Sequence, residues 1–223
     1  MSNIDNTIEN LKSSPLFYLF LSSRELFHSN FWFWLSTINE TETIKLFSPI
    51  PTNGNLKFKR EHNQSCGEFK STVDLYVTSE NSQNLAIENK VKDFPTNDQL
   101  ERIKKSFGTT NTELVLTTLF WNSELSFNGW KIITYREISE AIDPKKFTSN
   151  SYYQDLILDY KNFTLNLATL AEQLNISNDY DFAISLNKEL YNKLNEIKLW
   201  EGYQKLRASH LLYCFNKFNG NNV

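Results

Sequence analysis

Thr72-Val73-Asp74-Leu75-Tyr76-Val77-Thr78-Ser79 and, after a short polar interval, Asn84-Leu85-Ala86-Ile87-Glu88-Asn89-Lys90-Val91 decide how this chain folds. In the first segment Val73, Leu75 and Val77 alternate with Asp74 and Tyr76, the period of a strand whose two faces differ. Ser79 to Asn84 supplies a polar turn, and Leu85 to Val91 returns as a second strand. Along it Leu85, Ile87 and Asn89 share one face while Ala86, Glu88 and Lys90 share the other. A carboxylate and an ammonium therefore point the same way, next to a strand that carries a second carboxylate, Asp74.

That grouping suits metal-assisted phosphodiester hydrolysis. A divalent cation needs hard oxygen ligands on a rigid frame, which Asp74 and Glu88 can supply from neighbouring strands. Lys90 is spaced to orient an attacking water, to stabilise charge on the phosphorus centre and to offset repulsion between the carboxylates. The Asn89 side chain faces away, but its backbone carbonyl lies near enough to serve as a further metal ligand.

Working outward, the first forty residues read as helical. Ser22 and Glu25 have capping-box spacing before a run with Phe27, Phe31 and Trp34 on one helical face. Pro49, Pro51 and Asn53-Gly54 break the chain, and Leu56 to Glu61 begins the strand region. After Pro95, Thr96 and Gln99 again have capping-box spacing. Leu100, Ile103 and Phe107 continue as the stripe of a helix of about three turns ending near Gly108. Leu114 to Phe120 and Lys131 to Thr134 read as strands, and Tyr135 to Ile142 as a short helix stopped before Pro144. Beyond Tyr152 the pattern is helical, with one helix to about Leu174 and another from Asp181 to Phe218. The expected organisation is an α/β core over residues 1–148 and a helical C-terminal section, 149–223, packed on it.

Composition narrows the classes. A chain of 223 residues that is 40% apolar and 14% aromatic can bury a sizeable core. The net charge of −3 carries no global basic signature of nucleic-acid binding, although residues 56–105 hold nine Lys/Arg against eight Asp/Glu. Cys66 and Cys214 stand far apart and indicate neither a disulfide framework nor a cysteine zinc site, which fits a reducing cytoplasm. The apolar stretch Pro15 to Leu21 is too short to span a bilayer and has no basic leader, so neither a membrane segment nor a targeting signal is expected.

Val73-Asp74, the polar turn and Ile87-Glu88-Asn89-Lys90 together resemble the D…E-x-K signature of the PD-(D/E)XK nuclease superfamily. Arg24-Glu25-Leu26-Phe27-His28 resembles the opening helix of a microbial branch of it. Asp98-Gln99-Leu100-Glu101-Arg102 resembles the helix that follows the E-x-K strand, so the likeness spans roughly residues 22 to 142. It implies a restriction-endonuclease-like fold, a central mixed β-sheet flanked by helices. It also implies catalysis by Asp74, Glu88 and Lys90, with Mg²⁺ held by Asp74, Glu88 and the Asn89 carbonyl and Mn²⁺ able to substitute. Glu25 and Gln99 are additional candidates, and DNA is the expected substrate. A homodimer and a partner protein in defence against foreign DNA are associated expectations. Two departures stand out: Val73 replaces the proline of the motif's name, and Ile103 sits where some exonuclease members have tyrosine.

Each signal has a plainer reading. Ser22 with Glu25, and Thr96 with Gln99, can simply cap their helices. His28, one turn beyond Glu25, lacks a second histidine at ligand spacing and reads as a structural residue. Lys92, Arg102, Lys104 and Lys105 read as solvated surface, and the Phe31 to Trp34 aromatics as core. The alternative function is a non-cleaving nucleic-acid-binding or scaffold protein of the same fold. Retained carboxylates facing a phosphate argue against it, because they repel that ligand unless a cation intervenes.

Overall fold

The computed structural model describes residues 2–22, 26–48, 55–80, 83–108, 111–121, 126–174 and 188–218. The sheet is built from β1 (Leu56–Cys66), β2 (Phe69–Ser79), β3 (Asn84–Lys90), β4 (Thr112–Thr118) and β5 (Trp130–Thr134), in that spatial order. β1, β2 and β3 pair antiparallel, whereas β3, β4 and β5 pair parallel. The parallel half requires crossovers, and α5 (Asn97–Phe107) provides the one between β3 and β4. The protein is thus α/β, with a five-stranded mixed sheet flanked by helices and followed by C-terminal helices.

Two apolar layers cover the sheet. On one face α5 places Leu100, Ile103 and Phe107 against Val73, Tyr76, Ala86, Leu114 and Leu116. On the other, α1 (Ser2–Ser13), α2 (Phe17–Ser22), α3 (Leu26–Ile38), α4 (Glu40–Ile44), α6 (Tyr135–Ala141), α7 (Pro144–Phe147) and α8 (Ser151–Gln173) build a larger core with Leu75, Val77, Ile87 and Val115. The aromatic residues of α3 lie here as expected, with Phe31 stacked on Tyr160 of α8 at 3.7 Å between ring centroids. Tyr160, Phe163 and Leu167 share one core with sheet residues, so α8 is part of the body of the molecule.

The two-faced pattern of β2 holds from Leu75 onward and fails at Val73. Val73 belongs with Tyr76 in the layer under α5, although the alternation predicts opposite faces. The partner strand shows the same reversal: Phe58 packs on the larger core, whereas His62 stacks on Tyr76 and meets Phe107. The cause lies between them. Glu61 has φ 44, in the left-handed region, and stands across from Asp74 at the step between the Arg60–Leu75 and His62–Val73 pairs. A left-handed residue departs from the extended backbone that keeps side chains alternating, and it stands at the step where both strands exchange faces.

The C-terminal pattern also departs from one continuous helix. Within the described residues it forms α9 (Lys188–Glu196) and α10 (Trp200–Phe218), broken where Lys198 takes φ 60. The Asp181 to Asn187 part of the expected helix lies outside the described residues. α10 meets the sheet at Gly202, where an added Cβ would stand 2.8 Å from the Phe120 ring and 3.1 Å from the Lys92 carbonyl. Only a residue without a side chain allows this approach to the chain leaving β3. No helix among the described residues is long and apolar enough to cross a membrane.

Candidate active site

The parallel half of the sheet determines which way the β3 backbone points. Leu119 N–H donates to the Lys90 carbonyl at 2.9 Å, so the peptide groups of Lys90 and, by strand alternation, of Glu88 face β4. Those of Asn89 face β2. The β2–β3 ladder ends at the Leu75–Ile87 pair, and the next step belongs to a side chain: Asn89 N–H donates to Asp74 Oδ2 at 2.7 Å. The Asp74 carboxylate is thereby turned toward β3 at the point where the two strands part, with the Asn89 carbonyl on the same edge by the same alternation.

Glu88 and Lys90 lie on the α5 face, each 5% exposed. Lys90 Nζ stands 3.1 Å from Glu88 Oε1, and Gln99 Nε2 of α5 donates to the same oxygen at 2.8 Å. Thr96 caps α5 by accepting the Gln99 N–H at 3.3 Å. The backbone of Gln99 thus engages the helix cap while its side chain reaches Glu88.

Asn89 is fully buried on the opposite face, where its Oδ1 accepts from Tyr135 Oη at 2.8 Å and Thr117 Oγ1 at 3.0 Å. These bonds hold the β3 backbone from behind while its front edge engages Asp74. Burial raises the Asp74 carboxyl above the ordinary carboxylate range, the Asn89 N–H and the Lys90 ammonium act against that rise, and the charge of Glu61 adds to it.

No protein family, curated protein or solved structure matches the chain.

Of the residues singled out in the sequence, Asp74, Glu88, Lys90, the Asn89 backbone and Gln99 come together. Glu25 lies outside the described residues. Ser22 ends α2 and donates its hydroxyl to the Leu19 carbonyl at 3.0 Å, which shows it closing that helix. His28 is buried, with Nδ1 3.0 Å from Tyr160 Oη, and serves the core as expected. Glu61 is the residue that sequence reasoning missed, since a charged residue inside a strand of mixed polarity carries no mark of left-handed backbone.

The donor set suits a hard divalent cation. Two carboxylates stand on adjacent strands, Asp74 bonded to the Asn89 N–H and Glu88 beside Lys90, with the Asn89 carbonyl on the edge facing Asp74, and all of them are oxygen donors. Among the described residues no group of three or more His, Cys, Asp and Glu side chains is ready to hold a metal by itself. Such a sparse set fits Mg²⁺, which keeps several waters and completes its shell with substrate oxygens, better than zinc, which takes nitrogen and sulfur ligands in closed sites.

Proposed function

We propose that the protein is a metal-dependent nuclease of the PD-(D/E)XK type, with a restriction-endonuclease-like sheet, that hydrolyses nucleic-acid phosphodiester bonds, DNA being the expected substrate. One observation carries the reading. Asp74, bonded to the Asn89 N–H, and Glu88, bonded to Lys90 and Gln99, stand on neighbouring strands beside the point where their ladder opens. The two acids stand on different strands with the lysine beside one of them, which supports the reading that the D…E-x-K resemblance suggests.

Mg²⁺ bound by Asp74, Glu88 and the Asn89 carbonyl would supply Lewis-acid activation of water and of the phosphoryl oxygens. Lys90 holds a positive charge beside Glu88, where it can donate a hydrogen bond to the attacking water or to a non-bridging phosphate oxygen. Gln99 keeps the Glu88 carboxylate in one orientation. Asp74 is oriented by the Asn89 N–H, so neither acid has to reorganise when substrate arrives.

The test is cleavage of linear and closed-circular DNA, single- and double-stranded, and of RNA, with Mg²⁺, Mn²⁺ or EDTA. The wild type is compared with Asp74→Asn, Glu88→Ala and Lys90→Ala. Metal-dependent cutting that each substitution abolishes is the expected result. No cutting of any substrate, together with no rise in melting temperature on adding either metal, would replace this reading with that of a non-cleaving protein of similar fold.

A further inference from the structure

A second cavity, of about 360 Å³, opens between the β1–β2 hairpin and α5. Its walls are polar and include Asn63, Lys70, Ser71, Gln99 and Arg102. Gln99 is the partition between this cavity and the candidate active site, because the same side chain donates to Glu88 Oε1.

Ser71 indicates what the cavity takes. The residue is 9% exposed, and its buried Oγ has no hydrogen-bond partner. A hydroxyl withdrawn from water without a partner is costly, and a small rotation of the side chain that brought it to an acceptor in the cavity would relieve it. Lys70 and Arg102 are exposed at the rim, and neither side chain forms a hydrogen bond or ion pair with any of the described residues. Asn63 accepts from Thr72 Oγ1 at 2.5 Å and donates one N–H of its NH₂ group to the Glu61 carbonyl at 3.4 Å, which leaves its second N–H for a ligand. Two cations, a hydroxyl donor and an amide donor around one polar cavity describe a receptor for an oxyanion. The face reversal at Glu61 and Asp74 builds it, since that reversal turns Ser71 toward α5.

We propose that this cavity is a phosphate subsite, holding a backbone phosphodiester of the strand whose cleavage is proposed at Asp74, Glu88 and Lys90, and in that respect resting on the nuclease reading. Ser71 precedes Asp74 by three residues, about 10 Å of strand. Successive phosphates of one strand lie farther apart than the ~3.4 Å axial rise, so this span covers only one or two nucleotides. The phosphate held here is therefore a near neighbour of the scissile one. It fixes the register of the strand and carries no base specificity.

The experiment measures binding without cutting. Labelled DNA and RNA oligonucleotides, single- and double-stranded, are titrated by fluorescence anisotropy in EDTA and again with Ca²⁺, across a salt series. The proteins are the wild type, Ser71→Ala, Lys70→Gln, Arg102→Gln and, as a remote charge control, Lys145→Gln. Lys70→Gln and Arg102→Gln are each expected to weaken binding by roughly threefold to tenfold whatever the sequence, and to flatten the log affinity–log salt slope by about 0.7–0.9. Ser71→Ala weakens binding and leaves the slope unchanged, and the control behaves as wild type. Inorganic phosphate is titrated in parallel.

Equal binding and slope for wild type, Lys70→Gln and Arg102→Gln would overturn the subsite, even if the protein cuts DNA in Mg²⁺. So would a wild type that binds no oligonucleotide in either condition, or an Arg102-dependent site for inorganic phosphate with no counterpart in oligonucleotide binding. Failure of the nuclease reading registers elsewhere, as absent metal-dependent cutting and absent metal-dependent stabilisation. With the Lys70 and Arg102 effects intact, that result leaves the phosphate subsite standing.

Discussion

Gln99 Nε2 of α5 donates to Glu88 Oε1 of β3 at 2.8 Å, on the same oxygen that Lys90 approaches to 3.1 Å. A side chain from the crossover helix therefore sets the orientation of the acid expected to bind metal. Gln99→Ala is predicted to weaken Mn²⁺ affinity, measured by isothermal titration calorimetry, by about tenfold or more, the usual effect of losing a group that orients a ligand. Melting temperature in EDTA should change little, because the Thr96 cap uses the Gln99 backbone and survives the substitution. Unchanged metal affinity would reduce Gln99 to a helix residue.

Glu88 and Lys90 form an ion pair with about 6% of each side chain exposed, so each charge contributes to the other's stabilisation where water does not reach. Removing one partner takes the nearest counter-charge from a buried group, a cost of up to about 3–5 kcal/mol for such pairs. Glu88→Ala and Lys90→Ala should each lower stability in urea titrations in EDTA, and the double variant should be more stable than the sum of the two losses requires. Additive losses would mean that the pair is not coupled.

His28 provides a pH signature remote from the chemistry. Burial holds its pKa well below the ordinary histidine value of 6.5, and the positive charge of Lys92 pushes it the same way. The unfolded chain takes up a proton near pH 6.5 while the folded protein does not, so the stability His28 contributes is complete above that pH. It declines as pH falls from the unfolded toward the folded value. Between pH 7.5 and 5.5 the wild type should lose stability relative to His28→Phe, with a limiting slope of about 1.4 kcal/mol per pH unit. Parallel pH profiles for the two proteins would show that His28 does not titrate on unfolding.

The face grouping of Ala86, Glu88 and Lys90 was legible in the sequence because β3 is regular and buried, so a period of two reports its geometry directly. Helix α5 was legible for a similar reason, with Thr96 and Gly108 marking its ends. Position Val73 was not. Its orientation depends on the backbone of Glu61 in another strand, and left-handed backbone at a glutamate follows from tertiary contacts, where glycine or asparagine would have announced it. Arg102 read as solvated surface and is exposed, while the cavity it borders together with Ser71 lies between separate elements and leaves no mark in helix spacing. The break at Lys198 escaped notice because no glycine or proline marks it, and left-handed backbone at a lysine follows from tertiary contacts.

Gly202 links the C-terminal helices to the end of β3. A Cβ there would stand 2.8 Å from the ring of Phe120, itself 1% exposed, and 3.1 Å from the Lys92 carbonyl, so neither neighbour can yield cheaply. Replacing glycine by alanine inside an exposed helix gains about 1 kcal/mol, whereas overpacking a buried contact costs about 1–3 kcal/mol. Gly202→Ala is therefore predicted to lower the melting temperature despite its better helix propensity. Gly202→Ser should lower it further, because serine adds a hydroxyl to the same crowded space without alanine's propensity gain. The displaced α10 carries with it the Lys205–Asp93 ion pair just beyond β3, so amide exchange at 92–94 should quicken in Gly202→Ala. A variant as stable as the wild type, with unchanged exchange there, would mean that α10 can shift outward without cost.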